Sequence, residues 1–227
     1  GGPAEPGAWG SGGPRGGRAQ ALAVSPDFVH DGVALAGEWL YGKAGGASGT
    51  GIRRSTDGGQ TWQPSASGTE SVYYNYGSAI LAYAFSPDFA ADRTVFAGTW
   101  GGLVKSTDGG EHWQWLSRAY SGPPGTISAV AVAPDFAHNG RVMASSRGRL
   151  YLSQDGGVHW TLNYSLTAIS AIAYSPDFIS DSVAFVGGLN GLHKTPNGGS
   201  EWTPVLTQPV SALAISPQVG ADGTLFA

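Results

Sequence analysis

Carboxylates are the side chains with which this chain could do acid–base or nucleophilic chemistry, so their positions come first. Hydrolysis of a glycosidic bond takes two of them facing one sugar, roughly 5–9.5 Å apart. Of the 16 acidic residues, eleven are aspartates: Asp27, Asp31, Asp57, Asp88, Asp92, Asp108, Asp135, Asp155, Asp177, Asp181 and Asp222. Every one stands in a turn position that recurs along the chain, which gives it a structural occupation. Glu111 and Glu201 fall inside a second recurring segment, leaving Glu5, Glu38 and Glu70. Glu38 and Glu70 are the one candidate catalytic pair, and a weak one beside the reading of ordinary surface glutamates. Arg118, Arg147 and Arg149 supply positive charge but are split between two loops.

Other chemistries fare worse. Of the five histidines, His30, His112, His138 and His159 stand in recurring turn segments and His193 in a strand; the set matches no metal site, and surface turn residues are the better reading. Aspartate-rich turns invite calcium, but capping of the turn's own backbone is the stronger explanation. There is no Gly-x-Ser-x-Gly elbow and no phosphate-cradling glycine loop. No cofactor is expected.

The element that positions these residues is a repeat. Ser55–Trp62 (STDGGQTW), Ser106–Trp113 (STDGGEHW), Ser153–Trp160 (SQDGGVHW) and Thr195–Trp202 (TPNGGSEW) are four copies of one box. The box carries a structural set: Ser55, Asp57, Gly59 and Trp62; Ser106, Asp108, Gly110 and Trp113; Ser153, Asp155, Gly157 and Trp160; Thr195, Asn197, Gly199 and Trp202. Alternating with it is Ser25-Pro26-Asp27-Phe28, repeated at Ser86, Ala133 and Ser175, with a degenerate copy at Ser216-Pro217-Gln218-Val219. Short apolar runs fill the space between, for example Ala168–Tyr174, Val95–Gly98 and Leu103–Lys105. Proline ends a strand because it cannot donate to a ladder, and paired glycines supply the positive φ of a tight hairpin. The unit reads as four short antiparallel strands, a to d, with the Pro-Asp-Phe turn between a and b and the box between c and d.

The box, Ser/Thr-x-Asp-x-Gly-x-x-Trp, resembles the Asp-box or bacterial neuraminidase repeat, with Asn197 in place of the fourth Asp. The resemblance covers residues 20–227. It implies a β-propeller, as in sialidases, xyloglucan-cleaving endoglucanases, sortilin-type receptors and the photosystem II assembly factor, and it implies that the box is structural. The Arg-Ile-Pro sequence of sialidases is absent, and no aspartate stands outside a repeated turn to serve as a xyloglucanase acid.

The expected fold is therefore all-β. Residues 1–19 are a Gly/Pro-rich flexible lead-in, followed by blades at about 20–65, 78–117, 126–164 and 167–206 and a partial fifth at 210–227. A single Met at 143 and an end inside a strand pattern lead us to expect a fragment of a larger ring. A five-bladed ring completed by the N-terminal segment is the alternative.

Spacing separates the two ends of the propeller. From the Pro-Asp-Phe Asp to the box Asp there are 30 residues in the first unit and 20 in each of the others, whereas the return distance varies from 31 to 21. Length variation therefore sits in the b–c and d–a loops, where binding commonly lives. Those loops hold Trp39, Tyr41, Tyr73, Tyr74, Tyr76, Trp100, Arg118, Tyr120 and Arg147, the candidate ligand-binding residues. Aromatic rings beside hydroxyls and charges suit sugars or a protein loop. The expected function is a non-catalytic binding or scaffold module for a glycan or protein ligand, with a sialidase-like or xyloglucanase-like glycoside hydrolase as the alternative. A net charge of −4 gives no case for nucleic acid, and no apolar run is long enough to span a bilayer. An exported bacterial protein, extracellular or periplasmic, is the expected setting.

Overall fold

The computed structural model describes residues 18–39, 51–65, 67–69, 79–116, 122–123, 125–218 and 223–227. Tyr41, Glu70, Tyr73, Tyr74, Tyr76, Arg118 and Tyr120 lie outside them, as do residues 1–17 of the lead-in.

Four four-stranded antiparallel sheets follow one another along the chain. Blade 1 is β1 (Arg18–Val24), β2 (Ala34–Trp39), β3 (Ile52–Ser55) and β4 (Gln63–Pro64). Blade 2 is β5 (Ile80–Phe85), β6 (Val95–Thr99), β7 (Gly102–Ser106) and β8 (Gln114–Trp115). Blade 3 is β9 (Ile127–Val132), β10 (Arg141–Ser146), β11 (Arg149–Gln154) and β12 (Thr161–Ser165). Blade 4 is β13 (Ile169–Tyr174), β14 (Ala184–Gly188), β15 (Gly191–Thr195) and β16 (Thr203–Leu206). A two-stranded sheet, β17 (Ala214–Ile215) with β18 (Leu225–Phe226), is half of a further blade. The strands pair in chain order within each sheet, and the first strands β1, β5, β9 and β13 lie side by side. This is the propeller that the repeat implies.

Each blade boundary is a core of its own. Val33, Leu35 and Ile52 of blade 1 pack with Ile80, Phe89, Val104 and Trp113 of blade 2. Phe96, Leu103 and Leu116 of blade 2 pack with Ile127, Val142 and Trp160 of blade 3. Met143, Leu150 and Leu152 of blade 3 pack with Ile169, Phe178 and Val186 of blade 4. A blade cannot cover its own apolar faces, so stability is shared between neighbours, as in other repeat architectures.

Close approach between blades explains the glycines of the second strands. A Cβ at Gly37 would lie 2.5 Å from the Cβ of Ile80, and one at Gly98 would lie 2.7 Å from the carbonyl oxygen of Ile127. Blade 3 has Ser145 at the equivalent place and uses its hydroxyl instead, accepting from Ala129 N–H at 2.9 Å and meeting Ser128 Oγ at 2.8 Å.

The structure corrects two details of the sequence reading. The Pro-Asp-Phe turn winds into one helical turn: α1 (Phe28–Asp31), α2 (Phe89–Asp92), α3 (Phe136–Asn139) and α4 (Phe178–Asp181). Each closes on a left-handed residue, Gly32, Arg93, Gly140 or Ser182. Ala168 is not the start of a strand; it takes φ 50°, and β13 begins at Ile169. His193 stands in the third strand of its blade, β15, as expected from the sequence, and is buried there beside the Tyr164 hydroxyl at 3.0 Å.

Candidate functional site

The two recurring turns meet at one end of the propeller. The N–H groups of Gly58, Gly109, Gly156 and Gly198 in the boxes donate to the carbonyls of Gly32, Arg93, Gly140 and Ser182, which close α1 to α4. Within the helical turns, Asp31 accepts from the Ser25 hydroxyl at 2.6 Å and from Val33 N–H at 2.8 Å. Asp92 and Asp181 repeat this with Ser86 and Ser175. Blade 3 changes both partners at once: Ala133 offers no hydroxyl, and Asn139 stands for the aspartate. Its amide nitrogen donates to Asp135 while its oxygen still caps Arg141 N–H at 2.8 Å.

The boxes consume their own polar groups in the same way. Ser106 Oγ donates to Asp108 Oδ1 at 2.8 Å and accepts from Gly110 N–H at 2.8 Å. Asp108 Oδ1 also accepts the N–H groups of Glu111 and His112, each at 3.0 Å, and Oδ2 meets His112 Nδ1 at 2.7 Å. Asp155 makes the same set with His159, and Thr61 replaces the histidine at Asp57. Asn197 keeps the pattern with its amide oxygen, accepting from Thr195 Oγ1 and from Glu201 N–H, both at 2.9 Å.

These bonds lower the carboxyls to about 2. At Asp57 the Thr61 hydroxyl and N–H lead. At Asp108 and Asp155 partial burial pushes upward and is outweighed by the bonds from His112 and Ser106, and from His159 and Ser153. Asp108, Glu111 and His112 approach one another closely, but Asp108 and His112 are bonded to each other and Glu111 pairs with Arg54 at 3.3 Å. The group is a braced turn.

The opposite end gathers the b–c and d–a connections. Trp100 N–H donates to Ala79 C=O at 3.3 Å, Leu166 N–H to Gly148 C=O at 2.8 Å, and Leu189 N–H to Thr167 C=O at 3.1 Å. Of the sequence-predicted ligand residues, Trp100 and Arg147 have described side chains here, and the structure brings their loops together. Trp100, 39% exposed, sits on the turn between β6 and β7. Its carbonyl accepts from Thr126 Oγ1 at 3.3 Å. Next to Thr126, Gly125 lies under the Arg147 guanidinium; a Cβ there would come within 2.8 Å of Arg147 Nε. Arg147 itself takes φ 50°, followed by Gly148 at 73°, as a two-residue hairpin requires. A left-handed arginine costs about 1–2 kcal/mol, so this backbone is held by its surroundings. Leu189, in the same slot of blade 4, is 60% exposed.

Glu38 and Trp39 occupy the last two positions of β2, opposite Ala19 and Arg18. Thr126 and Gly125 were absent from the sequence reading. The spacing marked the loop end that holds them, but nothing local distinguishes a threonine that ties two loops from any other.

A succession of four-stranded blades packed face to face, each sealed by an Asp-box on one end and opened into variable loops on the other, is the architecture of an Asp-box β-propeller. The family model described as photosynthesis system II assembly factor YCF48 matches residues 38–199, and the chain belongs to that family. No curated protein matches the sequence significantly. Among solved structures, the GH74 enzyme of Niastella koreensis is similar at TM-score 0.64 and 18% identity, covering 88% of this chain and 32% of that one. YCF48 from Cyanidioschyzon merolae is similar at TM-score 0.53 and 15% identity, covering 88% and 60%. A YCF48 bound to D1 peptide is similar at TM-score 0.53 and 14% identity, covering 83% and 55%. The chain thus spans about a third to three fifths of the length of these propellers. At such identities the likeness is one of fold.

Proposed function

We propose that this chain is a non-catalytic propeller module that binds a segment of another protein at its loop end. The observation that carries the reading is the strip Trp100–Thr126–Gly125–Arg147: a part-exposed indole and a guanidinium on adjoining blades, joined by a glycine and a hydroxyl. An indole face and a planar cation suit a peptide with an apolar side chain and a carboxylate nearby. Membership of the YCF48 family supports a protein ligand, since one YCF48 structure carries D1 peptide. A place in photosystem assembly and an exported location accord with this proposal.

Surface plasmon resonance against immobilised peptides with apolar, carboxylate-bearing termini tests it. Trp100→Ala and Arg147→Ala each weaken binding by about tenfold, equivalent to about 1.4 kcal/mol. Gly125→Val, which displaces the guanidinium, weakens it similarly. Retention of full affinity by all three variants would sink the proposal.

A second reading, glycoside hydrolysis, is favoured by the similarity to GH74 enzymes and has Glu38 and Glu70 as its carboxylates. Reducing sugar released from a polysaccharide panel, and abolished by Glu38→Gln or Glu70→Gln, would establish it. Every described aspartate lies in an a–b or box turn at the far end from the variable loops, which supports the binding module over the enzyme.

A further inference from the structure

One lysine of the box end has surroundings that set it apart from the neighbouring cations. Arg54 donates to Gly109 C=O at 2.8 Å, and its charge is met by Glu111 at 3.3 Å. Lys105 donates to the corresponding carbonyl of the next box, Gly156 C=O, at 2.9 Å. Here Val158 stands in the place of Glu111. Among the described residues no carboxylate comes within ion-pair distance of the Lys105 ammonium, which lies 5.5 Å from the Phe96 ring centroid. Burial holds its pKa below the ordinary value and outweighs the more distant charges of Asp92 and Asp155. An arginine in such a place stays charged, whereas a desolvated lysine gives up its proton more readily. At a given pH Lys105 therefore carries more free amine than a solvated lysine, and the free amine is a nucleophile.

Lys105 lines a groove of about 300 Å³ between the second and third boxes, together with Gly156, Asp108, His112, Leu116 and Val158. Leu116 and Val158 give the groove an apolar wall. His112 gives it a base. The imidazole Nδ1 meets Asp108 Oδ2 at 2.7 Å, and Asp108, with its carboxyl lowered to about 2, is ionised at neutral pH. Nδ1–H is thus the donor, and the free lone pair of the neutral ring stands on Nε2. The groove brings together a desolvated amine, a base braced by a carboxylate and an apolar surface. That is the equipment for holding a small carbonyl compound at a lysine.

We propose that this groove takes small apolar aldehydes and that Lys105 binds them covalently as an imine. The ammonium gives one proton to His112 Nε2, directly or through one water. The lone pair of the free amine forms the N–C bond, the carbonyl π pair moves to oxygen, and that oxygen takes a second proton from the nitrogen. The proton held by His112 then passes to the new hydroxyl, which leaves as water while the nitrogen lone pair closes the C=N bond. Ammonium and aldehyde thus give a protonated imine and one water, with no oxidant or reductant consumed. Leu116 and Val158 hold the apolar part of the aldehyde. The site lies at the box end and stands apart from ligand binding at the loop end.

The probe is benzaldehyde, trapped by excess cyanoborohydride on the whole chain and mapped by peptide mass spectrometry at its lysines, Lys43, Lys105 and Lys194. Lys105 is expected to be labelled several-fold faster than the other two, with a rate that saturates in aldehyde and begins to rise at a lower pH. Formaldehyde, too small to use the apolar wall, should show a weaker preference for Lys105. Lys105→Arg keeps a cation for the Gly156 carbonyl and removes the fast-labelled site. Val158→Glu supplies the carboxylate that Glu111 gives Arg54, and should slow Lys105 several-fold by holding its charge. His112→Thr keeps the turn braced, as Thr61 braces Asp57, and should slow labelling of Lys105 about tenfold while leaving Lys194 unchanged. Equal labelling of the three lysines would overturn the proposal. So would a preference for Lys105 that is as strong with formaldehyde, or one that survives both Val158→Glu and His112→Thr.

Discussion

The box aspartates are acceptors before they are acids. Each holds two or more N–H or hydroxyl donors of its own turn, and Asn197 does this with no charge at all. Asp108→Asn is therefore expected to cost well under 1 kcal/mol, while Asp108→Ala orphans two main-chain donors and costs about 1–3 kcal/mol in urea unfolding. The carboxylates also set an acid limb. Their folded value of about 2 lies below the ordinary 3.8, so the stability they contribute is complete above about pH 4 and is lost as pH falls towards 2. An Asp57→Asn, Asp108→Asn, Asp155→Asn triple variant should show a flatter pH profile of denaturation over that window. An unchanged profile would mean that other carboxyls carry the limb. That the box was structural was legible from its recurrence alone. Which hydrogen bonds hold it was not, because the same Ser, Asp and His side by side also suit an active site.

At the level of elements, the box tryptophan is the seal between blades, but its indole N–H is not treated alike in all four. Trp62 and Trp160 donate to Gly59 and Gly157 C=O at 3.0 and 2.9 Å, and Trp202 donates to Asn163 Oδ1 at 2.9 Å. Among the described residues Trp113 has no such partner: Ser65 of the preceding blade donates to the Gly110 carbonyl that the indole would use. Trp113→Ala is expected to cost about 3–5 kcal/mol through lost packing against Leu35 and Ile52. Ser65→Ala should cost less than a typical hydrogen bond, since it frees that carbonyl for the indole. Differential scanning calorimetry of both variants checks the contrast. Gly157→Ala puts a methyl 2.9 Å from Leu116 and 3.1 Å from Phe96 at φ 92°, and should lower Tm by several degrees. Strand order and the Gly-Gly hairpins were readable from period and turn chemistry. The helical turns α1 to α4 were not, since Pro-Asp-Phe serves a bend and a single helical turn equally well.

For the whole molecule, the division of labour between the two ends is what gives function a place. One end is tied off by turn-to-turn hydrogen bonds repeated in every blade, and the other presents Trp100, Arg147 and Leu189 on connections of unequal length. Ligand variants at the loop end should leave thermal stability within about 0.5 kcal/mol of the parent, while box variants should move stability and leave ligand affinity alone. A Trp100→Ala variant that loses stability as well as binding would assign that indole to packing. The sequence by itself determined the blade, its box, the pairing of the two recurring turns at one end and hence which end carries the variable loops, where we propose binding. Each of these rests on local turn chemistry that recurs in every unit of the chain. Only the tertiary structure decided that Gly125 and Thr126 join Trp100 to Arg147 and that His193 is buried beside Tyr164. Those are relations between residues distant in sequence, and they arise only when neighbouring sheets pack.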